Sequence, residues 1–130
     1  MTETTTTTDT IPLSINGLTW RKITDQIVAG VEGGISYWAS SFKPEGEIST
    51  DVSPWYDDEK FWAAGGWKIL IKVHDERKPK EMTPESMRNG LQYLADNHLW
   101  RIEQMIKENG DAETGDVFIQ SCLFGDIVYG

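Results

Sequence analysis

Acidic side chains dominate the residues of this chain that could do chemistry. Asp57-Asp58-Glu59, Asp75-Glu76 and the trio Asp111, Glu113 and Asp116 form its clusters. Paired carboxylates can hold magnesium or work as acid and base. The stretch around Asp111 lacks the alternating oxygen ligands and distant glutamate of a calcium loop, so these acids read as helix caps and solubilising charge. His74 and His98 stand far apart, outside any metal-ligand spacing, and CxxC, HExxH and HxH do not occur. Cys122 falls on the apolar side of an expected helix in an acidic segment, which suits a buried thiol rather than a nucleophile. Glu32-Gly33-Gly34 is no phosphate loop, because neither GxxxxGK[ST] nor GxGxxG follows a strand here. The sequence therefore predicts no catalytic residue, no metal and no cofactor.

Aromatic residues carry the more unusual signal. Six tryptophans, Trp20, Trp38, Trp55, Trp62, Trp67 and Trp100, are many for 130 residues. Core packing is the expected role of Trp38 and Trp67. Trp55 and Tyr56 sit in a polar, proline-containing stretch, where an exposed aromatic pair would stack on a base or anchor a partner. Arg77, Lys78, Lys80 and Arg88 make the densest basic patch and could meet a few phosphates.

Composition narrows the partners. Lysine and arginine total 12 against 21 aspartates and glutamates, a net charge of −9. That charge opposes a sequence-independent grip on nucleic acid and docking on an anionic membrane. No apolar run reaches the ~20 residues of a membrane span, and the threonine-rich start lacks the basic head and apolar stretch of a signal peptide. One cysteine fits a reducing, cytoplasmic setting.

The elements that must position these residues follow from periodicity. Residues 1–10 are low-complexity and read as a flexible tail, with one globular domain over 11–130. Ile11, Leu13, Ile15 and Leu18 suggest a short strand or a docking arm. A helix starts at Thr24 as N-cap and carries Ile27, Val28 and Val31; Gly33-Gly34 stops it by entering left-handed conformations. Residues 36–42 read as a strand in preference to a continued helix, since Ile27, Val31, Ile35, Trp38 and Phe42 also share a helical face. A long excursion over 43–66 holds a short strand near Phe61-Trp62. The strand at 67–74 places Trp67, Ile69, Ile71 and Val73 on one face, and 75–80 is a charged turn. Thr83-Pro84-Glu85 opens a helix with N-cap, proline and acid in order. Asn97-His98 can interrupt it before Leu99, Ile102 and Met105. Asp111 or Thr114 caps a last helix ended by Gly125. The expected fold is α+β: a single small domain with a short antiparallel sheet packed against three or four helices.

Two segments add a resemblance. Glu32-Gly33-Gly34-Ile35-Ser36-Tyr37-Trp38 is similar to an EGGxxYW signature, and residues 111–130 resemble a DAxTGDVFxQxxLFGxxVYG terminus. Both are features of a family of small hypothetical proteins of phages, prophages and mobile elements, and the helix opening at Thr83-Pro84-Glu85 fits it too. The match spans roughly half the chain, and residues 43–66 depart from it. The resemblance implies a viral or mobile-element setting and supplies no catalytic residues. Small phage accessory proteins often act by binding, which is an analogy.

Two functions are expected on these grounds. The first is a non-enzymatic, anti-defence protein that sequesters a small nucleotide-like signal in the host cytoplasm. Tyr37, Trp38, Trp55 and Tyr56 would stack, Arg77, Lys78 and Arg88 would meet phosphates, and Asp116 and Gln120 would bond base or ribose. The alternative is an acidic inhibitor that binds a host defence or regulatory protein, its acidic face imitating nucleic acid. A homo-oligomer is compatible with either, and paired carboxylates holding a metal are a third, weaker option.

Overall fold

The computed structural model describes residues 15–130. The tail expected over 1–10, together with Ile11 and Leu13, lies outside them. Ile15 and Leu18 pack on the core. In chain order the elements are α1 (Trp20–Gly33), a 3-10 turn (Ile35–Tyr37), β1 (Ala39–Pro44) and a second 3-10 turn (Trp55–Asp57). Then follow α2 (Glu59–Ala64), β2 (Ile69–Val73), β3 (Lys80–Met82), α3 (Pro84–Asn97), α4 (Leu99–Ile106) and α5 (Ala112–Phe124). The α+β class holds. The described residues contain five α-helices rather than three or four, because α2 replaces a strand and His98 splits α3 from α4.

Helix α5 is the axis of the fold. Every residue from Thr114 to Cys122 is buried, so this helix has no solvent face and packs on all sides. Small residues let its neighbours approach. A Cβ on Gly30 of α1 would lie 2.8 Å from the Gly115 carbonyl, and one on Gly90 of α3 would lie 2.6 Å from the Cys122 nitrogen. Asp111 caps α5 by accepting from the Thr114 N–H at 3.1 Å, and Gly125 ends it in a left-handed conformation (φ 72°). The Asp111 carboxyl is held below its ordinary range, first by that backbone hydrogen bond.

The sheet is antiparallel in the order β1-β2-β3, with Phe42 opposite Ile71 and Ile69 opposite Met82. Ile69, Ile71 and Val73 alternate inward as the sequence predicts. The charged turn after β2 is shorter at its end than expected, since Lys80 already pairs with Ile71 in β3. Helix α1 begins earlier than predicted. Thr19, not Thr24, is the N-cap and accepts from the Lys22 N–H at 3.2 Å; Thr24 is buried inside the helix and donates to the Trp20 carbonyl. The strand placed near Phe61-Trp62 is helical, because Asp58 caps a turn there and Trp62 turns fully inward. Residues 35–37 form a 3-10 turn and the strand runs from Ala39 to Pro44.

The Gly33-Gly34 stop is real, but its cause is steric. Gly34 keeps a right-handed conformation (φ −118°). A Cβ there would lie 2.5 Å from the Ala112 carbonyl at the start of α5. The glycines admit another helix, not a left-handed backbone. Among the described residues no helix is long and apolar enough to cross a membrane.

Candidate functional site

The 3-10 turn after α1 delivers Tyr37 and Trp38 to the flank of α5. There the buried Asp116 collects three donors: the Tyr37 hydroxyl at 2.7 Å, the Trp38 indole N–H at 2.7 Å and the Gln120 amide at 2.9 Å. Although half the Tyr37 residue is exposed, loss of water at its hydroxyl and the hydrogen bond to Asp116 push its phenol up to about 12. Tyr37 is thus a hydrogen-bond donor at neutral pH. Gln120 turns its other end outward to the closing segment: its Oε1 accepts from the Val128 and Tyr129 N–H groups at 2.7 and 2.8 Å. Its Nε2 also reaches the Tyr129 carbonyl at 3.2 Å. One side chain replaces a strand partner for residues 128–129. Trp38 stacks on Tyr129 with ring centroids 5.6 Å apart and planes 5° from parallel.

These supports frame a cleft of about 570 Å³ between the end of α1, the start of α4, the start of α5 and residues 127–130. Its chemistry comes from Tyr37, His98, Trp100, Arg101, Glu113 and Asp116. That volume lies within the usual range of small-molecule sites. Trp100 is 53% exposed, and the Arg101 guanidinium sits over its ring at 3.9 Å from the centroid. Arg101 is itself buried, its Nη1 directed at Gln104 (3.2 Å) and Thr114 (3.4 Å), with Glu113 3.3 Å from Nη2. His98 ends α3 by donating its N–H to the Leu94 carbonyl.

Of the expected site residues, Tyr37, Trp38, Asp116 and Gln120 meet in one network. Tyr37 and Asp116 line the cleft, whereas Trp38 (2% exposed) and Gln120 are buried behind it. Trp38 therefore braces the wall and offers no face to a ligand. Trp55 and Tyr56 belong elsewhere. Trp55 stacks on Phe42 at 5.9 Å and meets Phe61 and Trp62 edge-on or tilted, while the Tyr56 hydroxyl donates to Glu32 at 2.8 Å. They are half-buried members of an aromatic cluster packed against the core around Phe42 and Trp62. Arg77 and Lys78, in the β2–β3 turn, and Arg88, on α3, are exposed and do not line the cleft. Trp100, Arg101, His98, Glu113 and Tyr129 were the residues sequence reasoning missed. The signal available was a large aromatic beside an arginine at a helix start, directly after the polar break at Asn97-His98.

The acidic clusters resolve into local structure. Asp57 pairs with Arg21, Asp58 caps α2 and accepts from the Thr50 hydroxyl at 2.6 Å, and Glu59 lies 3.7 Å from Arg21. Among the described residues no group of three or more His, Cys, Asp or Glu side chains is arranged to hold a metal. Cys122 is fully buried, and burial pushes its thiol well above the ordinary value.

Fold and site together define a small α+β protein with a ligand-sized cleft at the N-terminal end of its central helix. No family model matches the chain, and neither a curated protein nor a solved structure matches it.

Proposed function

We propose that this chain is a non-enzymatic binding protein that sequesters a small nucleotide-like ligand in the Trp100 cleft. The observation that carries the reading is the half-exposed Trp100 ring, backed by a buried guanidinium and opening into about 570 Å³ of space. An aromatic face stacks on a base, and convergent polar groups fix its orientation. Tyr37 has its hydroxyl spent on Asp116, Asp116 holds three donors and Cys122 is buried, so none of these three is free as base or nucleophile. The phage-type, anti-defence setting rests on the resemblance of the EGGxxYW and terminal segments, and a free buried thiol suits a cytoplasmic site of action.

Titration with a nucleotide library, read by tryptophan fluorescence, tests the reading. Trp100→Ala should weaken binding by about 2 kcal/mol while lowering stability by only about 1 kcal/mol. Undiminished binding by that variant would place the site elsewhere.

The acidic-inhibitor reading draws on one observation, the net charge of −9. Its densest cluster, Asp57-Asp58-Glu59, is already engaged by Arg21, Thr50 and the start of α2. A charge mimic would weaken steeply as salt rises, whereas stacking in the cleft would not.

A further inference from the structure

The charges of the cleft restrict what its ligand can be. Among the described residues Arg101 is the only lysine or arginine that lines it, beside His98 and two side-chain carboxylates, Glu113 and Asp116. Asp116 is committed to Tyr37, Trp38 and Gln120. Glu113 differs, since its side chain is 72% exposed while the Arg101 side chain it faces is 9% exposed. The guanidinium is fixed on both its edge and its face, by Gln104, Thr114 and Trp100. An exposed carboxylate thus rests on a nearly buried, pre-positioned cation. Water can take up the exposed carboxylate when it leaves, whereas the nearly buried guanidinium then needs another anion in its place.

From this arrangement we infer that the cleft takes a planar ligand bearing a single negative charge, and that its anionic group displaces Glu113 from Arg101. The inference rests on the nucleotide-binding reading and narrows it. The ring lies at Trp100, and the anionic group occupies the place of the Glu113 carboxylate on the guanidinium fork. A polyphosphate would bring several charges to one cation and two carboxylates. The cations expected to meet them, Arg77, Lys78 and Arg88, do not line the cleft.

Purine probes that differ in charge test this with the full chain. Adenosine and guanosine are neutral, their 3′,5′-cyclic monophosphates carry one negative charge, and their 5′-triphosphates carry several. The cyclic monophosphates should bind about tenfold or more tighter than the nucleosides, the gain expected of one charge-assisted contact. The triphosphates should bind less well than the cyclic forms. Glu113→Gln should tighten the cyclic monophosphates relative to the nucleosides by about threefold or more, because the competing anion is gone. Arg101→Met should erase the preference for charge; should it fail to fold, the Glu113→Gln comparison decides alone. Equal binding of nucleosides and cyclic monophosphates, in the native chain and in Glu113→Gln, overturns the single-charge inference and leaves the nucleotide-like reading standing. Tightest binding by triphosphates does the same. Absence of binding by every probe overturns both.

Discussion

Gly30 of α1 and Gly115 of α5 touch backbone to backbone, so that a methyl group on Gly30 would lie 2.8 Å from the Gly115 carbonyl. The reverse is as tight, with a Cβ on Gly115 falling 2.5 Å from the Gln26 carbonyl. Neither obstacle is a flexible side-chain tip. Gly115→Ala should therefore force the two helices apart and destabilise the protein by about 3 kcal/mol, despite alanine's better helix propensity. Chemical denaturation measures this, and an unchanged midpoint would contradict the packing.

Trp55→Ala combined with Tyr56→Ala should destabilise the fold by about 3 kcal/mol or more, since each ring is packed against the cluster around Phe42 and Trp62. Ligand binding by the protein that remains folded should be unaffected. A double variant with native melting temperature and lost binding would restore this pair as the recognition surface.

The Tyr37 phenol gives a pH signature. Its value is raised from 10 to about 12 by lost hydration and by the bond to Asp116. The protonated form is favoured in the folded state, so its contribution is fully present below pH 10 and disappears as pH rises through about 12. Tyr37→Phe should remove a late phenolate component from the absorbance titration and flatten the loss of stability in that window. Tyr56 and Tyr93 are also raised, by lost hydration and by the bond to Asp126 respectively, so the difference between the two proteins is the diagnostic quantity.

Gln120→Leu should loosen residues 128–129, because two N–H groups would lose their acceptor. A stability loss of about 2–4 kcal/mol is expected, with faster amide exchange at Val128 and Tyr129. Retained protection at both amides would show that Trp38 stacking alone holds the segment.

The sequence conveyed what depends on local pattern and little that depends on shape. Thr83-Pro84-Glu85 started α3, Gly125 ended α5, and the alternation of β2 identified its inner face, since each signal is complete within a few residues. Asp116 and Gln120 stood out in the sequence as polar groups able to bond a ligand. Their roles were not, because their partners Tyr37 and Trp38 lie 79 and 78 residues from Asp116. Trp55 misled for a related reason. A polar loop predicts exposure, but the loop folds back and lays its aromatics over Phe42. The sequence assigned Trp100 no role: helical spacing sets it off the stripe of Ile102 and Met105, but its stacking on Arg101 at the cleft is visible only in three dimensions.

The clasp of α1 by α5 also constrains how the chain reaches its native state. The face of α1 bearing Ile27 and Gly30 leaves the ribosome long before Gly115 and Ile119, which it needs as neighbours. β2 and β3 can pair locally, yet the helix that fills the centre is made after them. Folding is therefore governed by a distant contact, the topology that slows two-state domains. Once both helices exist, closing so large a loop costs little more than closing one half its length. During synthesis the nascent chain carries an unpartnered apolar face on α1, the kind of surface that chaperones shield.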